Sequence, residues 1–120
     1  MKQFGNIILV MLFVAVLTAL FGRYRLFIVM SDSMYPTLKK NDVIIGERVT
    51  EGEVIRIGEI YTYASRGRFY LVTHRIVNKT EDGYIFKGDS NENADSVPVC
   101  IDQIRYRIVK LGLECNNSVL

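Results

Sequence analysis

Proline occurs only twice and glycine nine times in 120 residues, which excludes a collagen-like chain and a proline-rich disordered one. Charge of one sign is missing too. Lys and Arg number 15 against 13 Asp and Glu, a net charge of +2, so there is no general field to draw a nucleic acid. The two cysteines, Cys100 and Cys115, have no CxxC partner and no histidine close by, which excludes a zinc site. Their pairing requires an oxidising compartment; the alternative is one buried and one tail thiol. The last absence is local: residues 4–21 carry no charged side chain, so the remainder holds all the charge. A chain of this length makes one domain, and its first quarter is suited to a different solvent from the rest.

Within residues 4–21 only Asn6 and Thr18 have polar side chains. As a helix the run spans about 27 Å at ~1.5 Å per residue, close to a bilayer core of about 30 Å. A cleaved signal peptide is the rival reading, with Lys2 as a basic start and Ala19 as a small residue at a cleavage site. The run exceeds an ordinary signal-peptide core of about 7–15 residues, which favours an uncleaved anchor. Lys2 and the amino terminus stand on one side, Arg23 and Arg25 on the other, so the positive-inside rule is balanced or slightly favours a cytoplasmic C-terminal part.

Beyond Arg25 the pattern turns to short runs rich in Ile, Val, Tyr and Thr between Gly, Asp and Asn clusters. Strands are predicted over residues 26–31, 42–48, 59–64, 69–78, 84–87, 97–101 and 106–111. Asp82-Gly83 predicts a hairpin, because glycine supplies the positive φ of a tight turn; residues 65–67 predict another turn. No later segment sustains a helical apolar stripe, and there is no internal repeat. The expected fold is therefore mainly β: an N-terminal transmembrane helix, then a small antiparallel barrel or sandwich, with domains 1–25 and 26–120. Tyr61, Tyr63, Phe69, Tyr70 and Tyr84 alternate along these strands as core residues, or as the lining of a peptide groove or a lipid contact.

Three polar islands carry chemistry. In Ser31-Asp32-Ser33-Met34-Tyr35-Pro36-Thr37 two serines stand at i and i+2, which on an extended chain point the same way. One hydroxyl then serves as nucleophile while the other donates to a developing oxyanion, although the same residues also make an ordinary serine-rich turn. In Thr73-His74-Arg75 lies the chain's only histidine, a general base for a serine if an acid orients its other nitrogen, and otherwise a satisfied strand residue. The third, residues 87–95, follows the hairpin and supplies Asp89 and Asp95. Its alternating oxygen side chains resemble part of a calcium loop but lack the full spacing and the terminal Glu.

Together, SDSMYPT, VTHRIV and KGDSNENAD in that order behind an apolar anchor resemble the signal peptidase I family, over residues 26–111. Those membrane-bound proteases share a Ser-x-Ser-Met-x-Pro box. Their base is lysine in the common bacterial type and histidine in the endoplasmic-reticulum, archaeal and SipW-like type. The resemblance implies Ser33 as nucleophile, His74 as general base, Asp95 as the acid that orients it and Asp89 as a supporting acid. It implies an oxyanion hole from the Ser31 hydroxyl and the Ser33 N–H, and substrate-binding positions at Met34, Pro36, Val72 and Thr73. It implies no cofactor and no metal. Two departures stand out: Asp32 where the family usually has Gly, a carboxylate that opposes oxyanion charge unless it turns to water, and Ser90 where Asn is more usual after Gly-Asp.

The implied partners are exported preproteins with N-terminal signal peptides and the lipid membrane, with no nucleic acid and with a dedicated surface-protein client as a further option. Cleavage after small residues, typically Ala, and a cell-membrane location with a cytoplasmic N-terminus and an extracytoplasmic catalytic domain go with it. This overrules the charge rule. The chain lacks a second apolar span after Leu111, so a minimal catalytic core is expected. Asp32 and the short length leave an alternative, a non-cleaving signal-peptidase-like protein that assembles surface proteins such as pilins. A self-cleaving repressor-type peptidase fits less well, since that type uses a lysine base and a DNA-binding module. Asn78-Lys79-Thr80 and Asn116-Asn117-Ser118 match the glycosylation sequon, which matters only in a eukaryotic secretory compartment.

Overall fold

The computed structural model describes residues 2–67 and 70–109. Its first element is the helix α1, Lys2–Arg23, which extends the expected run by two residues at each end and is long and apolar enough to cross a membrane. At ~1.5 Å per residue it is about 33 Å long. Its apolar side chains stand exposed all round, as in a helix solvated by lipid rather than packed on a core. Thr18, a polar residue in the middle of this surface, is satisfied locally by donating from Oγ1 to the Val14 carbonyl at 2.8 Å.

Six strands follow: β1 (Tyr24–Ile28), β2 (Val43–Arg48), β3 (Ile60–Ala64), β4 (Leu71–Thr80), β5 (Gly83–Lys87) and β6 (Ile104–Val109). They form one antiparallel sheet in the order β1-β2-β6-β3-β4-β5, so the chain is mainly β as expected. The β4–β5 hairpin turns at Glu81 and Asp82, and Gly83 has a φ of 137°.

Several element boundaries differ from expectation: β1 stops at Ile28, short of residue 31, β4 runs on to Thr80, past residue 78, and three further differences stand out. The first strand starts at Tyr24 rather than residue 26, because Tyr24 and Arg25 already pair with Glu47 and Gly46. No strand forms over 97–101. Pro98 has no N–H to give a ladder, so the segment contributes one bridge, Val99 to Tyr84, and then a 3-10 turn, Ile101–Gln103, secured by the Cys100 N–H on Gln103 Oε1 at 2.9 Å. The last strand begins two residues early, at Ile104. Residues 110–111, Phe69, Cys115 and the sequon at 116–118 lie outside the described residues. Cys100 is half-buried, with its Sγ 3.3 Å from Arg66 Nη2.

The sheet is covered on both faces, by two clusters that alternation along β3 separates. Tyr61 and Tyr63 join Ile76, Tyr84, Phe86, Val99 and Ile104. Ile60 packs with Met34, Leu38, Ile44 and Ile108. A bulge opposite Thr62 and Tyr63 lets β6 serve both, bringing Ile104 beside Tyr63 while Ile108 reaches Ile60. Burying such side chains stabilises by about 1.5–3 kcal/mol each. Tyr61, Tyr63 and Tyr84 are thus core, while Tyr70 stands half-exposed beside the cleft described below.

Gly46 marks a close crossing on β2. The rings of Phe27 and Tyr106 meet edge to face over it at 5.1 Å, and a Cβ at Gly46 would lie 2.7 Å from Phe27 Cε2 and 2.9 Å from Tyr106 Cβ. Gly46→Ala is expected to destabilise the domain by about 1–3 kcal/mol, through displacement of a β-carbon that cannot rotate away. Thermal unfolding of the full chain in detergent, followed by circular dichroism, measures this.

Candidate active site

The serine island is a turn, not an extended segment. Backbone bonds from Tyr35 N–H to the Asp32 carbonyl at 3.0 Å and from Leu38 N–H to the Met34 carbonyl at 2.9 Å coil it, and Tyr35–Pro36 is cis. Met34 and Leu38 are the apolar pegs of the turn, buried against Ile44. The expected i, i+2 alignment on a strand therefore does not occur, yet the coil brings the same two hydroxyls together, with Ser31 Oγ 3.2 Å from Ser33 Oγ.

Strand β4 presents its neighbours His74 and Arg75 to opposite sides, as successive strand residues do. On one side His74, 9% exposed, has Nε2 at 3.1 Å from Ser33 Oγ and Nδ1 at 2.7 Å from Asp95 Oδ2. The same Asp95 oxygen accepts the Tyr63 hydroxyl at 2.7 Å. On the other side Arg75 holds Asp89 through two parallel bonds, Nε to Oδ1 at 2.9 Å and Nη2 to Oδ2 at 2.8 Å. Asp89 Oδ2 also accepts the Thr37 hydroxyl at 2.6 Å. The two acids, six residues apart, thus serve different partners: Asp95 meets the histidine, and Asp89 meets the turn through Thr37.

The loop after β5 is stapled to the serine turn through Asp89 and Ser90. Ser90 N–H donates to the Ser33 carbonyl at 2.9 Å, Ser90 Oγ donates to the Asp32 carbonyl at 2.7 Å, and Asp89 N–H approaches Met34 Sδ at 3.4 Å. Ser90 therefore fills its place with a contact of its own. Asp32 is exposed and enters the network through its carbonyl. Gly88 permits the approach, since a Cβ there would lie 2.6 Å from the Ser33 carbonyl oxygen and 2.7 Å from Asn91 Nδ2. Asp95 is set by its N–H on the Phe86 carbonyl at 2.7 Å.

A cleft of about 410 Å³ opens at the hydroxyls. Residues 27–31 form one wall and 70–74 the other, with Ile44, Leu38 and Thr62 beneath, so the sheet curls until β1 and β4 face each other. The β4–β5 ladder begins only at Arg75, and Leu71 to His74 pair with β3 alone among the described residues. One edge of that stretch is thereby left to the cleft. Ser31, Ser33, Met34, Val72, Thr73 and His74 all line it; Pro36 is exposed and does not. Among the described residues no group of three His, Cys, Asp or Glu is gathered for a metal.

No family model matches the chain. Curated proteins do. A 124-position alignment with signal peptidase I W of Bacillus subtilis (strain 168) is 33% identical and spans 88% of this chain and 64% of that protein. The chain is thus similar to a signal peptidase I. The signal peptidase complex catalytic subunit SEC11 of Colletotrichum graminicola is 30% identical over 80 residues, 63% of this chain and 46% of that protein. The chain thus spans less than two thirds of the length of either relative.

Two residues near the site escaped the sequence reading. Thr37 closes the serine island but carries no mark of its bond to Asp89, and Tyr63 was legible only as one aromatic in an alternating series. The Arg75 guanidinium, through its hydrogen bonds, holds the Asp89 carboxyl below its ordinary value of 3.8 against the opposing effect of burial, with Thr37 adding to the depression. Arg75 is raised in return, its bonds to Asp89 outweighing burial.

A depressed carboxylate contributes stability that is fully present above its unfolded value and is lost as pH falls through the folded one. The wild-type melting temperature should accordingly fall more steeply below about pH 4 than that of Asp89→Asn, which lacks the titrating group. Melting curves from pH 7 to pH 2.5 test this. Gly88→Ala should separate the serine turn from the loop and cost about 1–3 kcal/mol, read in the same melting assay at neutral pH.

Proposed function

We propose that this chain is a membrane-bound serine endopeptidase that removes N-terminal signal peptides from exported preproteins after small residues. The observation that carries the reading is the chain of contacts Ser33 Oγ, His74 and Asp95, at 3.1 and 2.7 Å, at the mouth of the cleft. A carboxylate only accepts hydrogen bonds, so Asp95 selects the tautomer with the proton on Nδ1 and leaves the Nε2 lone pair toward the serine. His74 then takes the Ser33 proton as the hydroxyl attacks the scissile carbonyl, and returns it to the leaving amine. Water releases the acyl-enzyme by the same route.

Ser31 Oγ stands beside the nucleophile, and with the Ser33 N–H it stabilises the oxyanion. Asp32 faces solvent, where water screens its charge from that site. Asp89 acts at one remove, holding the turn through Thr37 and Arg75, while Met34 seats the turn in the core and Pro36 shapes it. Extended substrate adds as a strand beside Val72 and Thr73, whose edge β5 leaves unpaired. Residues 1–25 anchor the catalytic domain of residues 26–120 at the extracytoplasmic face of the cell membrane, with the N-terminus in the cytoplasm. Such anchoring raises the effective concentration of signal-peptide ends.

The test is cleavage of purified preproteins bearing an Ala-x-Ala site by the full chain in lipid. Product should map after the second Ala and fall on the order of 10⁴-fold or more in Ser33→Ala and His74→Ala. Activity in kcat/KM should also drop about tenfold per pH unit once His74 protonates on the acid side. Retention of an uncut surface protein equally by wild type and Ser33→Ala, with no product from any preprotein, would transfer the reading to assembly.

A further inference from the structure

Asp95 lies on a loop, yet the proposed chemistry requires its carboxylate to stay fixed against His74 Nδ1. Three observations locate what fixes it. The Tyr63 hydroxyl reaches Asp95 Oδ2 at 2.7 Å, the same oxygen that meets His74. Tyr63 is 7% exposed, and its ring packs on Phe86 with centroids 4.5 Å apart. It stands on β3, an interior strand paired on both sides, by β4 and by β6. Phe86 supports both ends of the contact, because its carbonyl accepts the Asp95 N–H.

We infer that Tyr63 is a positioning residue: its hydroxyl, held on a rigid strand, pins Asp95 Oδ2 and shares the negative charge that would otherwise bear on His74 alone. The inference rests on the peptidase reading. The titratable groups at this point are His74 from β4, Tyr63 from β3 and Asp95 from the loop, with Tyr70 bearing on Tyr63 only at alkaline pH, where a phenol ionises. Burial first, then the bond to Asp95, pushes the Tyr63 phenol well above its ordinary range, so the hydroxyl remains a donor throughout the working pH range. An oxygen with two donors pulls less strongly on each. Without Tyr63, Asp95 Oδ2 favours the imidazolium more and is freer to rotate.

The experiment uses Tyr63→Phe, which keeps the ring against Phe86. His74 is the sole histidine, so ¹⁵N-histidine labelling of the full chain in detergent micelles yields signals from this site alone. In Tyr63→Phe the histidine titration and the acid limb of kcat/KM should move to higher pH together. The value of kcat should fall about three- to tenfold, as loss of one hydrogen bond allows, with KM little changed. In an Asp95→Asn background the same substitution should leave the histidine signals where they are. A Tyr63→Phe protein whose histidine titration stays with the wild type, or moves to lower pH, overturns the inference, even if its melting temperature drops. If wild type cleaves no preprotein, the peptidase reading fails, and the histidine signals alone decide whether Tyr63 governs Asp95.

Discussion

One strand imposes the central constraint. His74 and Arg75 are consecutive on β4 and meet their acids on opposite sides of it, so the segment from Gly88 to Asp95 has to deliver one carboxylate to each side. Asp89 takes the first position and Asp95 the second. The serine turn is docked in the same movement, because Ser90 bonds the Ser33 and Asp32 carbonyls while Thr37 reaches Asp89. Two basic side chains on neighbouring residues thereby organise segments more than 50 residues apart.

The division of labour between the acids follows from their surroundings. Asp89 is bracketed by a guanidinium fork and a hydroxyl, the arrangement that best holds a carboxylate ionised and immobile. Among the described residues Asp95 pairs with no cation except an imidazole that gains its charge only on protonation. Its other donor is a phenol that burial keeps neutral. Asp89 is thus held by a fixed cation, whereas Asp95 is held by partners that carry no fixed charge.

Much of this was legible in the sequence. The apolar run announced α1, Asp82-Gly83 fixed the hairpin, and the order of the three islands named Ser33, His74 and Asp95 before the geometry brought them together. What escaped has physical causes. Arg23 and Arg25 read as the polar edge of a membrane segment, while Arg23 in fact pairs with Glu47 and the strand begins at the next residue. Pro98 was too weak a signal to demote residues 97–101 from strand to a single bridge. The bond from Tyr63 to Asp95 spans 32 residues and depends on strand pairing and on the fold of a loop, neither of which periodicity encodes. The serine turn gave the right partners for the wrong geometry, since coiling and extension both bring i and i+2 hydroxyls within reach.

The junction between α1 and β1 contains no linker. The helix ends at Arg23, the strand starts at Tyr24, and Glu47 clasps Arg23 at 2.8 Å and Arg107 at 2.6 Å. Ser31 is only eight residues beyond the helix, a reach of at most about 29 Å for a fully extended chain. The head therefore cannot swing on a leash. Whatever plane holds the helix also sets the altitude of the cleft above it, and the molecule carries its own plumb line.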